Sequence, residues 1–209
     1  MRTPIFIDSC AWNYLFERHV AIEQVFPPEE FQIFQTREVQ IEISEMPDIG
    51  IDGSDKRLLK RYIQESRDAN SVRTTGTFGF ATFEADGTPS KNQVRVGFGQ
   101  GGFQSNEHRS WYATKEVRSH LDGKSKRKSG LGRNQADASM AVRSFDSIIL
   151  TNEKNDKSGP LRLAAEQSGH VVYLQDLDET RTSLKEFVQE ARERWLAARQ
   201  SAGACSQAG

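Results

Sequence analysis

Three acidic residues stand where a fold gathers chemistry. Asp8 follows the apolar run Ile5-Phe6-Ile7 directly, and Glu153 lies just beyond a second run, Ile148-Ile149-Leu150. If both runs are strands of an open parallel sheet, these side chains converge on the crevice outside the carboxyl ends of the strands, where ligands bind. Asp137 falls near the start of a helical stretch, on a face shared with Met140 and Ala141, an apolar setting for a carboxylate. Singly, acids at strand ends and in first helical turns usually cap backbone amides or offset a helix dipole. Their combination carries the functional reading. Two carboxylates about 4 Å apart repel by roughly 4 kcal/mol at an effective dielectric of 20, so a cluster raises its own pKa values unless a cation sits within it. Hard oxygen donors select Mg2+ or Mn2+ over zinc, and such ions acidify and orient water and stabilise charge around a phosphodiester. Thr151 or Ser9 is placed to hydrogen-bond one of these carboxylates.

The elements that must position these acids read as an alternation. Ile5 to Ile7 predicts a buried strand, and Trp12, Leu15 and Phe16 a helix after it. Phe31 to Phe34 alternates as a second short strand that ends at Thr36. Over Thr36 to Ile43, Val39, Ile41 and Ile43 suit a strand, whereas Val39 and Ile43 behind a Thr cap suit a helix, and periodicity leaves both open. Leu58, Leu59, Tyr62 and Ile63 behind Ser54 predict one apolar helix face. From about Thr74 to Phe103, alternating Phe78 and Phe80, an Asp86-Gly87 turn and alternating Val94, Val96 and Phe98 predict an antiparallel hairpin inserted in an α/β chain. A basic loop with Lys124, Lys126, Arg127, Lys128 and Arg133 follows.

Beyond Leu131 the alternation resumes: a helix opened by Asn134 or Gln135, the strand Ile148 to Leu150, a helix over Leu161 to Ala165 closed by Gly169, and a strand from Val171 to Leu174. This order predicts right-handed crossovers in a parallel sheet. Ser183-x-x-Glu186 is a capping box before a stripe of Leu184, Phe187, Val188, Ala191, Trp195 and Leu196, which suits packing on the domain, and the tail after Gln200 is expected to fray.

The 209 residues carry 28 Lys plus Arg against 29 Asp plus Glu. That balance excludes a protein that holds nucleic acid by being basic throughout. The length suits one domain with an insertion. Two cysteines, Cys10 and Cys205, make neither a disulfide framework nor a zinc site. With no secretory pattern after Met1 and no apolar run of membrane-spanning length, a cytoplasmic protein is expected.

Four motifs, in order, resemble the PIN domain: Ile5-Phe6-Ile7-Asp8-Ser9, Thr36-x-x-Val39-x-x-Glu42-Ile43, Ala136-Asp137-x-x-Met140-Ala141 and Ile149-Leu150-Thr151-Asn152-Glu153. The resemblance covers about residues 1–50 and 130–178. It implies a three-layer α/β/α fold with a mostly parallel sheet over residues 1–178; the inserted β-rich segment at about 72–130 is foreign to the compact members of the family, and a terminal helix and flexible tail are expected over 179–209. It favours a helix presenting Glu42 and demotes Glu45. Asp8, Glu42, Asp137 and Glu153 match the family's acidic quartet, which implies Mg2+ or Mn2+ and a ribonuclease acting on RNA, or on single-stranded DNA. The roles left open are a toxin with an antitoxin or other protein partner, a defence nuclease or a maintenance nuclease, with a homodimer as one assembly state; the alternative is a PIN-like module without catalysis that serves in nucleic-acid binding or assembly. Glu153 stands where the family has aspartate, and Asp156 is the alternative fourth acid.

Other signals have plainer readings. Gly97-x-Gly99-x-x-Gly102 matches a dinucleotide fingerprint by letter, but no apolar helix follows. Arg95, Phe98 and Phe103 suit the core of a small sheet better than a stacking surface for a strand. A phosphoryl-accepting Asp8 would need an aspartate at position 10, which is Cys10. Cys10 has no basic neighbour to activate it, and His19, His108, His120 and His170 show no ligand spacing. The basic loop becomes a clamp for a phosphate backbone only if the acids act on one.

Overall fold

A computed structural model describes residues 2–77, 101–102, 105–121, 131–132 and 134–207. The first strand, β1 (Thr3–Ile7), leads into α1 (Ser9–Glu17), a short α2 (Ile22–Val25) and β2 (Phe31–Thr36). Helices α3 (Arg37–Ser44) and α4 (Arg57–Ala69) precede β3 (Arg73–Thr77), and β4 (Gly101–Gly102) is followed by α5 (Asn106–Ala113) and α6 (Lys115–Leu121). The last third holds α7 (Gln135–Ala141), β5 (Ile148–Thr151), α8 (Pro160–Glu166), β6 (Val171–Tyr173), α9 (Leu174–Asp178) and α10 (Leu184–Gln207).

The strands lie in the order β4-β3-β2-β1-β5-β6, and every pairing between them is parallel. Ile5 and Ile7 in β1 and all four residues of β5 are buried. A sheet buried at its centre on both faces needs helices on both sides, which is the α/β arrangement expected. The chain builds β1 to β4 outward in one direction and then returns to lay β5 and β6 on the other side of β1.

Thr36 resolves the ambiguous stretch in favour of a helix. Its Oγ1 accepts from Val39 N at 3.3 Å and from Ser139 Oγ at 2.9 Å, so one hydroxyl caps α3 and ties it to α7. The core runs through Trp12, Phe26, Ile63, Met140 and Trp195. From α10, Val188, Ala191 and Trp195 enter that core, so this helix belongs to the domain. The expected capping box forms: Ser183 N donates to Glu186 Oε2 at 2.9 Å and Glu186 N to Ser183 Oγ at 3.3 Å.

Several expectations need correction. Arg73–Thr77 is a parallel strand, β3, paired with β2, and Gly101–Gly102 pairs parallel with it, so neither flank of the insertion is antiparallel. The hairpin signals from Phe78 to Phe98, Phe103 and most of the basic loop, Lys124 to Lys128 and Arg133, lie outside the described residues. The later part of the segment expected to be β-rich is helical, as α5 and α6. Trp111 and Val117 bury one side of this pair, and His108 Nε2 meets Asp146 Oδ2 at 2.9 Å. Ser54 does not cap α4; its hydroxyl turns back to Asp52, and Leu58 is exposed outside the buried face set by Leu59 and Ile63. Leu174 begins α9 instead of ending β6, and α10 continues to Gln207 where a frayed tail was expected.

The end of α8 departs in an instructive way. Gly169 was the expected left-handed residue, yet Ser168 takes φ 68. Gly169 N donates to Ala164 O at 2.8 Å and Ser168 N to Ala165 O at 3.1 Å, a Schellman closure with serine at the strained position. Gly169 is required for a different reason: a Cβ there would stand 2.1 Å from Ser144 Oγ and 2.8 Å from Ala164 O.

Candidate functional site

The order of strands reverses between β1 and β5, and the crevice at such a switch point is where open parallel sheets bind ligands. Ile7 pairs with Leu150, so Asp8 and Thr151 leave the sheet side by side. Asp8 is 3 % exposed, and its carboxylate is fully engaged. Oδ1 accepts from Ser9 N at 2.7 Å, while Oδ2 accepts from Thr151 Oγ1 at 2.9 Å and Cys10 Sγ at 3.1 Å. Asp8 thus serves as the N-cap of α1 as well as a candidate site residue.

The turn after β5 is organised by the same groups. Thr151 Oγ1 accepts from Glu153 N at 3.2 Å, and Cys10 Sγ accepts from Asn152 N at 3.2 Å. Burial, and then the charge of Asp8, push the Cys10 thiol well above its usual range, so it is a fixed hydrogen-bonding group and not a nucleophile. Glu42, near the end of α3, accepts from Ser9 Oγ at 3.0 Å. Ser9 therefore bridges two of the acids, its amide to Asp8 and its hydroxyl to Glu42.

Asp137 is where the electrostatic load falls. Burial, then the charges of Asp8 and Glu153, push its carboxyl up to about 7; Glu42 adds to the effect and Lys157 opposes it. Asp8, Glu42 and Glu153 thus all lie within electrostatic reach of Asp137. Asp156 is exposed.

Two residues of this region were not foreseen. Lys157 Nζ donates to Glu153 Oε1, and although burial pulls its pKa down, Glu153 and Asp137 outweigh that and raise it. The signal was the i, i+4 spacing of opposite charges. Glu38 is 6 % exposed, one helical turn before Glu42, and burial raises its pKa against the pull of Arg143 and Arg37. No periodicity argument marks an acid for burial, since its apolar neighbours Val39 and Ile43 already account for the helix.

The donor chemistry of the cluster fits a hard divalent cation: four carboxylates with hydroxyls at Ser9 and Thr151, all of them oxygen donors. Burial first, and then the neighbouring acids, disfavour the charged form of Asp137. Among the described residues, however, no group of three or more His, Cys, Asp or Glu side chains is drawn together as a ready ligand set. Uncompensated carboxylates repel, and here each of Asp8, Glu42 and Glu153 is held by a protein group instead. Compared with known proteins, the chain matches no family model, no curated protein and no solved structure. Among the described residues no helix is long and apolar enough to cross a membrane.

Proposed function

We propose that this chain is a PIN-like, divalent-metal-dependent nuclease, with RNA as its first substrate class. The observation that carries the reading is the Asp137 carboxyl near the reversal of the sheet, raised to about 7 by burial first and then by the charges of Asp8 and Glu153. Asp8, Glu42, Asp137 and Glu153 would hold Mg2+ or Mn2+. Bound there, the ion supplies activation of water and stabilisation of charge on a phosphodiester. Thr151, Cys10 and Ser9 fix the Asp8 carboxylate and Ser9 orients Glu42, which removes the side-chain freedom that a ligand set would otherwise lose on binding. Asp137, protonated in part near neutral pH, releases its proton when positive charge arrives.

The test is cleavage of labelled RNA and single-stranded DNA by purified protein with Mn2+ or with chelator. Asp8→Asn and Asp137→Asn should each abolish metal-dependent products while circular dichroism stays that of the parent chain. Undiminished cleavage by either variant sinks the assignment of the site. The pairing of Glu153 with Lys157 favours one second reading, a PIN-like module that binds nucleic acid without cutting it. Tight binding of RNA with no products under any metal supports that module against the nuclease.

A further inference from the structure

Lys157 is the cation that the acidic cluster already has. Its Nζ donates to Glu153 Oε1 although the lysine side chain is 55 % exposed and the glutamate only 17 %. A surface lysine with solvent on one side has turned its charge inward, to the acid at the carboxyl end of β5. We propose that Lys157 competes with a divalent ion for Glu153, so that this ion pair sets the protein's affinity for Mg2+ or Mn2+. The inference rests on the metal-dependent reading above and concerns what stands in the ion's way.

The physics is an exchange of one cation for another. An ammonium and a divalent ion cannot share one carboxylate at close range, because like charges about 4 Å apart repel by several kcal/mol at an effective dielectric of 20. Lysine can leave at small cost: its flexible four-carbon stem reaches water directly from an exposed position. Nothing else must move, since Thr151 and Cys10 hold the turn that carries Glu153 through its own and Asn152's backbone amides. Glu153 is thereby poised to change partners while Asp8 keeps its hydrogen bonds.

The test reads metal binding without nucleic acid. Mn2+ is titrated into wild type, Lys157→Met, Lys157→Arg, Glu153→Gln and the double variant Glu153→Gln/Lys157→Met, with free Mn2+ followed by electron paramagnetic resonance. Lys157→Met should bind Mn2+ roughly fivefold more tightly, the upper end of what a partly exposed ion pair is worth. Lys157→Arg should stay near wild type, and the gain should shrink in the Glu153→Gln background, where the pair no longer exists. Wild type that binds Mn2+ with Lys157→Met unchanged or weaker overturns this inference alone, as does an equal gain with and without Glu153. If no variant binds Mn2+, the metal-dependent reading falls and this inference with it.

Discussion

Thr151 Oγ1 donates a 2.9 Å hydrogen bond to Asp8 Oδ2, joining side chains 143 residues apart in sequence at the carboxyl ends of adjacent strands. Both are buried, Thr151 at 0 % and Asp8 at 3 % exposure, so neither has water as a ready substitute partner. Replacing Thr151 by Val keeps the shape and removes the donor. The folded state should lose about 1–2 kcal/mol in urea denaturation, the cost of leaving a buried acceptor short of one partner while Cys10 still serves the same oxygen. Thr151→Ser should recover most of it; a Val variant as stable as the parent means the hydroxyl is not holding Asp8.

Asp137 makes stability depend on pH in a definite direction. Its carboxyl titrates near 7 in the folded chain and near the ordinary carboxylate value of about 4 when unfolded. Between these values the folded state binds more protons, so this group's contribution falls as pH rises through the window and levels off above about 7. In chelator, Asp137→Asn should therefore melt close to the parent at about pH 4 and be more stable by on the order of 4 kcal/mol at pH 8. Parallel stability profiles for the two proteins would falsify the shifted carboxyl.

Glu153 and Asp156 can be told apart directly. Glu153 shares electrostatic space with Asp137, whereas Asp156 is exposed and its backbone carbonyl accepts from Arg162 Nη1 at 2.8 Å. Glu153→Gln should lower Mn2+-dependent cleavage at least tenfold, on the order of what removing a metal-associated group costs, and Asp156→Asn should stay within about twofold. The reverse order of effects moves the fourth acid to Asp156.

The closure of α8 predicts opposite outcomes at neighbouring positions. Ser168 sits at φ 68, so Ser168→Gly relieves a left-handed conformation and should stabilise by about 0.5 kcal/mol after the entropic cost of glycine. Gly169→Ala drives a methyl into Ala164 O and Ser144 Oγ and should cost about 1–3 kcal/mol. Thermal denaturation of the two single variants checks the pair, and a stable Gly169→Ala chain rules out the close approach.

How much was legible in the sequence varied with the kind of information needed. Ile5 to Ile7 and Ile148 to Leu150 announced central strands because a sheet covered on both faces leaves continuous apolar runs, and that alone put Asp8 and Glu153 at one edge. The Ser183 to Glu186 capping box was legible because both partners lie within one turn. Thr36 was not: its choice of helix over strand is reinforced by Ser139, a residue 103 positions away. Ser168 was hidden because glycine next to it is the commoner left-handed residue, and the steric reason for Gly169 lies in Ser144. α5 and α6 are short and lack a long apolar stripe; they bury Trp111 and Val117, with Tyr112 and Leu121 packed beside the core. Lys157 needed no distant partner, only attention to the charge four residues before it.

The reversal of the sheet also orders events in time. β1 pairs with β2, and β2 with β3, using only the first 77 residues, so half of the sheet needs nothing from the rest of the chain. Asp8 meets Thr151 only when β5 docks on the other side of β1. A chain synthesised only as far as Leu131 has therefore made Asp8 and Glu42 without their counterparts on α7 and after β5. The four acids can come together only after the residues up to Glu153 have been made and β5 has docked on β1.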